Sequence, residues 1–181
     1  FRPCIRRSPQ QSPDPLARAH PARVGKNPGP VMTDPATQEE RRRERREDYR
    51  YFMTIPTRWM DNDMLGHVNN VTYYRFFEAV VVRFSMEEGG LDWHNDPAIP
   101  YAVESMCRYW RPVSYPETVD AGLRVSRMGA SSVTYEIGLF TAGAPEPAAT
   151  GHFVHVFIDR TTERPRPIPP AMRAVFEKFR V

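Results

Sequence analysis

The pattern between Val71 and Glu88 constrains the fold more than any other part of the chain. Set at roughly 100° per residue, Tyr73, Tyr74, Phe76, Phe77, Val80, Val81 and Phe84 share one broad arc of a helix, with Thr72, Arg75 and Arg83 opposite. That arc is wider than the apolar stripe of a surface helix, so the helix must be wrapped by other elements. Gly89-Gly90 stops it. The wrapping material has the other period. Val119, Ala121, Leu123 and Val125 alternate with Asp120, Gly122, Arg124 and Ser126, and Val133, Tyr135, Ile137 and Leu139 alternate likewise. Strands are therefore expected over 118–128, 131–141 and 149–159, joined by turns at Gly129 and at Gly143 to Pro147. Residues 49–59 are rich in aromatic and β-branched side chains and read as a first strand, which Pro56 restricts to an edge or a bulge. A further strand over 101–110 and a short amphipathic helix over 171–179 complete the order. The expectation is an α+β domain whose antiparallel sheet curls around one central helix.

Length allows one such core, of about 120 to 140 residues. The expected domain is 49–181, preceded by an extension over 1–48. Residues 1–31 contain seven prolines and little apolar material, so they are read as disordered, with Met32 as an alternative start and a transit peptide as the rival reading. From Asp34-Pro35, residues 36–48 read as a polar helix without an apolar face. The net charge of +3 is unevenly spread: residues 1–48 hold 11 basic and 7 acidic groups, and residues 49–181 hold 14 and 15. The folded part is nearly neutral, and the run Arg41 to Arg46 reads as a solvated arm, so no nucleic-acid partner is expected. Cys4 and Cys107 offer neither a disulfide framework nor metal spacing. A cytoplasmic protein with no metal and no membrane span is expected.

Just before the helix, Arg58 to Asn70 packs Asp61, Asp63, Gly66, His67, Asn69 and Asn70 into one loop. Gly66 permits a tight turn or close approach to a ligand. Asn69 or Asn70 is a favourable N-cap, and the helix start offers unpaired N–H groups. A carboxylate and an electropositive helix end thus converge. Asp61 and Asp63 are equally compatible with capping a turn through their own backbone, and His67 with a hydrogen-bonded scaffold role. Other chemistries lack their signatures: the chain has no GxSxG elbow, no Gly-rich phosphate loop ending in Lys-Ser/Thr and no HExxH. His152 and His155, three apart on a strand, project to opposite faces.

These residues resemble a known family. The pattern Trp59-x-Asp61-x-Asp63-x-x-Gly66-His67-Val68-Asn69-Asn70, followed by Tyr73, Phe76-Phe77-Glu78, Arg108-Tyr109-x-Arg111-Pro112, Gly129-x-x-Ser132 and Val156-x-Ile158-Asp159, is similar to the hotdog-fold acyl-CoA thioesterases of the 4-hydroxybenzoyl-CoA thioesterase branch. The resemblance covers about residues 50–180. It implies a hotdog fold, a homodimer or homotetramer with sites at the subunit interface, and an acyl-CoA substrate whose coenzyme A is no separate cofactor. It implies that Asp63 is the catalytic carboxylate, base or nucleophile, and that the backbone N–H at Asn70 polarises the thioester carbonyl. His67 joins the catalytic candidates; Gly66, Tyr73, Phe76 and Glu78 are candidates for substrate contact, and Asp61 for a structural role. Arg108, Arg111, Arg124, Arg127, Arg164 and Arg166 are candidates for the coenzyme A phosphates. The alternative is a hotdog protein that binds acyl-CoA or acyl carrier protein without hydrolysis.

Overall fold

The computed structural model describes residues 44–181. The proline-rich segment, Met32 and residues 36–43 of the expected polar helix lie outside the described residues. Five strands form one antiparallel sheet: β1 (Tyr51–Pro56), β2 (Ala98–Tyr109), β3 (Thr118–Met128), β4 (Ser132–Thr141) and β5 (Ala149–Asp159), in the order β1-β3-β4-β5-β2. Helix α1 (Asn70–Glu87) and the short α2 (Pro170–Lys178) pack on its inner face. The expected α+β arrangement holds, with most element ends within two or three residues of expectation. Pro56 ends β1 at a sheet edge, where its missing N–H costs no ladder bond.

Turn chemistry explains the β3-β4-β5 meander. Gly129 N–H donates to Ser132 O at 2.7 Å, and Gly143 turns with φ of 71°. Between β1 and β2 the chain crosses the inner face as α1, so those strands occupy opposite edges.

The core is the meeting of two periods. From α1, Tyr73, Phe76, Phe77, Val80, Val81 and Phe84 are buried against inward-facing Ala121 and Leu123 of β3, Tyr135 and Ile137 of β4, and Phe153 and Phe157 of β5. Each such ring withdrawn from water stabilises the fold by about 1.5 to 3 kcal/mol. Gly151 makes the closest approach possible: a Cβ there would sit 2.5 Å from the Phe77 ring and 2.2 Å from Met106 O. At the other end of α1, Phe176 and Phe179 pack on Phe84, the latter edge-on with centroids 5.0 Å apart.

The outer face of the sheet corrects one expectation. Residues 44–48 are not α-helical; they form an extended lead-in and a 3-10 turn at Arg46–Asp48, lying against the sheet. The paired Gly122 and Gly138 leave no side chain beneath the Tyr49 ring, and a Cβ at Gly138 would lie 2.7 Å from it. Arg46 stacks 4.6 Å above the Phe52 ring and pairs with Asp120 at 2.9 Å. The polar pattern of this stretch hid these contacts, because its partners are the few outward-facing apolar residues of a sheet read mainly by its inner face.

His155 stands on the inner face of β5, 2% exposed, edge-on to Tyr135 with centroids 5.4 Å apart and tilted against Phe153. His152, on the outer face, pairs with Glu104 at 2.7 Å. Neither ring nitrogen of His155 has a hydrogen-bond partner among the described residues, and burial pushes its pKa down to about 4. The unfolded chain takes up this proton near pH 6.5 and the folded protein only near 4. Stability from the neutral ring is therefore complete above about pH 6.5 and lost as pH falls through about 4, by roughly 3 kcal/mol in all. Melting curves from pH 7 to 4.5 should show this decline. His155→Phe should flatten it, and an unchanged slope in that variant would assign the decline to other groups.

Candidate active site

β1 delivers the chain into a 3-10 turn at Trp59–Asp61, and from there the loop folds back on itself. Asn62 and Val68 form an isolated antiparallel bridge, Asp63 N–H donates to His67 O at 2.9 Å, and Gly66 N–H donates to Asp63 O at 3.0 Å. Gly66 closes this reversal with φ of 80°, in the left-handed region where a Cβ is strained. The Asn62 side chain ties the loop outward: its Nδ2 donates to Gly66 O, and its Oδ1 accepts Tyr115 N–H at 3.1 Å. Val68 N–H donates to Val113 O at 2.7 Å.

The Asp63 carboxylate does two things at once. Oδ1 accepts Leu65 N–H at 2.8 Å, the turn-capping bond that its residue type favours. Its other oxygen has no hydrogen-bond partner among the described residues. That oxygen remains available to a ligand, while the first fixes the carboxylate's direction.

Helix α1 begins three residues after His67. Asn69 is the N-cap: its side chain accepts Val71 N–H at 3.0 Å, and its carbonyl accepts Thr72 N–H at 2.9 Å. The Asn70 N–H, by contrast, has no partner among the described residues. A donor at the positive end of an 18-residue helix favours an oxygen that gains negative charge. Tyr109, at the end of β2, reaches this point from another part of the chain. Its hydroxyl donates to Asn70 O at 3.3 Å, and its ring stands edge-on to Tyr73 at 5.0 Å.

A cavity of about 470 Å³ opens on the loop, lined by Trp59, Met60, Asn62, Asp63, Met64 and Gly66. Its apolar rim is open: Trp59 is 79% exposed and Met60 75%. Asp63 and Gly66 thus share one wall. His67 and Asn70 adjoin it in the chain without lining it, and the His67 ring has no hydrogen-bond partner among the described residues. Tyr73 and Phe76, candidates for substrate contact, are 3% and 2% exposed and belong to the hydrophobic core. Glu78 lies on the outer side of α1, and partial burial raises its pKa above the usual carboxylate range. A second cavity, of about 530 Å³, lies at the far end of α1 between Gly89, Ala98 and Met172. None of the loop residues lines it.

Several of the candidate phosphate-binding arginines are otherwise engaged. Arg124 pairs with Glu136 at 2.6 Å, Arg166 with Asp159 at 3.0 Å, and Arg111 donates to the Thr141 hydroxyl. Among the described residues, no three His, Cys, Asp or Glu side chains are grouped to hold a metal ion. Tyr109 and the Trp59-Met60-Met64 rim were not among the sequence candidates. Trp59 and Tyr109 stood inside recognised motif blocks, but only folding brings the end of β2 to the start of α1.

Residues 57–176 match the thioesterase-like superfamily. The chain belongs to that superfamily. Its fold is the hotdog fold, a five-stranded antiparallel sheet packed on a central helix. The PA5185 protein of Pseudomonas aeruginosa strain PAO1 is 47% identical, with a TM-score of 0.73 over 75% of this chain and 95% of that one. The PA2801 protein of Pseudomonas aeruginosa, provisionally assigned as a thioesterase, is 34% identical with a TM-score of 0.64, over 68% and 95% of the two chains. Protein YsmA of Bacillus subtilis (strain 168) is 28% identical over 113 residues, 62% of this chain and 75% of its own length.

The cap geometry has a measurable consequence for this thioesterase-superfamily protein. Asn69→Ala removes one of the two side-chain acceptors of Val71 N–H, the other being Asn70 Oδ1 at 3.0 Å, and with the N-cap lost should lower unfolding stability by about 1 kcal/mol. Denaturant titration checks this, and Asn69→Asp, which keeps the acceptor, should stay near the parent.

Proposed function

We propose that this protein is an acyl-CoA thioesterase, hydrolysing a thioester to a free acid and coenzyme A. The observation that carries the proposal is the Asp63 carboxylate, with one oxygen fixed by the turn, in a cavity wall next to the start of α1, the other oxygen and the Asn70 N–H having no partner among the described residues. A thioester has a good leaving group. Its hydrolysis needs chiefly a positioned base or nucleophile and a donor for the oxygen that becomes negative.

Two routes balance on these groups. With Asp63 as base, it takes a proton from water as the water oxygen attacks the carbonyl carbon, and the tetrahedral oxyanion is held at Asn70 N–H. The C–S bond then breaks, and the thiolate leaves with the proton returned by Asp63. With Asp63 as nucleophile, its oxygen attacks the carbonyl carbon and expels the thiolate, and water then cleaves the resulting anhydride. Label found in Asp63 after a single turnover in ¹⁸O-water identifies the nucleophilic route, through attack of water at the Asp63 carbonyl of the anhydride, whereas attack at the acyl carbonyl labels the acid as the base route does. His67 and Glu78 are assigned support of the loop and the substrate-facing helix.

A homo-oligomer is part of the proposal. β2 is an edge strand of 12 residues whose positions 101–105 are all exposed, and such an edge is a template for pairing. Closed two-fold symmetry is the commonest arrangement for such a contact.

Asp63→Asn keeps the size and turn bond of Asp but not its basicity or nucleophilicity. It should lower kcat on a panel of short, long and aromatic acyl-CoAs by at least about 10², with melting temperature and oligomeric mass unchanged. Full activity in that variant would overturn the assignment. A larger loss in Glu78→Gln would move the carboxylate to α1, and binding of acyl-CoA without thiol release by the parent would replace hydrolysis with carriage. A sedimentation mass of one 20.9 kDa chain at micromolar concentration would overturn the oligomer.

A further inference from the structure

We infer that Asp61 and Arg75 form a positioning pair that fixes the Asp63 carboxylate relative to the helix-end N–H of Asn70, an inference that rests on the hydrolytic reading above. Asp61 is 3% exposed. One carboxylate oxygen pairs with the Arg75 guanidinium, and the other accepts Arg58 N–H at 2.7 Å. Its own N–H donates to Arg58 O at 2.9 Å, and its carbonyl accepts Asn69 N–H at 2.8 Å. A single residue is therefore bonded to the turn before it, to the cap residue adjoining Asn70, and to a side chain inside the first two turns of α1.

A buried carboxylate is costly unless paired and hydrogen-bonded, and an apolar residue would pack a turn at less cost. The need is specific to two acceptors. Both partners are donors, one on the loop backbone and one on the helix, and Asn would turn its NH₂ toward one of them. Arg75 is held in its turn, since its guanidinium lies 5.6 Å from the Phe76 ring centroid, and Phe76 is core. From Asp61 the backbone runs two residues to Asp63, which is locked by its bond to His67 O. A shift of α1 relative to the loop would have to break this pair before it changed the separation of carboxylate and donor. Neither side chain lines the cavity beside Asp63, so the pair acts through Asp63 and Asn70 rather than on substrate.

The test compares Arg75→Gln, Asp61→Asn, their double variant and Arg75→Lys with the parent, in hydrolysis and in amide hydrogen exchange. Misplacement by about 1 Å costs up to about 10² in rate, so each single variant should lose about 10- to 100-fold in kcat. KM should move by less than about threefold, because the lost interaction supports the transition state rather than binding. The double variant should be no worse than the poorer single one, as expected of groups sharing one interaction, and Arg75→Lys should regain part of the loss. Exchange should quicken across residues 61–72 in Arg75→Gln and stay unchanged in β3 and β4. Retained kcat, or a loss matched by the fall in folded fraction, would overturn the inference, as would unchanged exchange in the loop. If the parent hydrolyses no acyl-CoA, the hydrolytic reading fails, and loop exchange by itself then decides whether the pair holds loop to helix.

Discussion

The burial of one aromatic helix face against a curved sheet is the interaction on which the rest of this structure depends. Phe77, Val80, Val81 and Phe84 of α1 are fully buried, and truncating a ring such as Phe77 to Ala would cost about 3 to 5 kcal/mol. The contact also sets direction. Because α1 must lie along the inner face, its N-terminus falls at the sheet end where β1 finishes and β2 ends, and its C-terminus where α2 closes the core. The 18 residues of α1 span about 27 Å, so the two helix ends face separate surroundings. Only the first carries the Asp63 loop.

At that first end, residues that hold the backbone also orient the site. Asp63 spends one oxygen on Leu65 N–H, Asn69 its carboxamide on Val71 N–H, and Asn62 both ends of its amide on Gly66 and Tyr115. Each bond fixes a neighbour of a group that has no partner among the described residues, the second Asp63 oxygen or the Asn70 N–H. Turn residue and reacting group were competing readings of Asp63; the geometry makes them compatible, since a carboxylate has two oxygens and the turn uses one.

How much of this was legible depends on range. The limits of β3 and β5 and the course of α1 were readable because periodicity is local and the buried face repeats it. The loop was readable because its residues are contiguous. Pairing of β2 with β5 was not, since alternation gives a strand a face but no neighbour. The polar pattern predicts a helix through residues 44–48, and Gly122 and Gly138 carry the missing information: they read as ordinary small strand residues until β3 and β4 are in register and a groove for Tyr49 appears. Tyr73 and Phe76 fit an acyl pocket by type as well as a core, but the arc of α1 already sets them in the core, and their burial agrees.

The proposed chemistry makes a demand that a single copy of the chain does not meet. Hydrogen bonds and charges act strongly on a developing oxyanion when water is excluded, yet the wall around Asp63 is open, with Trp59 and Met60 mostly exposed and Met64 wholly so. Exposed apolar side chains clustered beside a candidate carboxylate are poor solvent-facing surface and good covered surface. The substrate's acyl chain would cover part of such a rim. A second copy, joined at the β2 end of the sheet, would cover more, and Tyr109 at the end of that strand already touches Asn70. Pairing at the β2 edge would thus bear on the start of α1, so that oligomerisation and water exclusion at Asp63 become one requirement of the proposed hydrolysis rather than two.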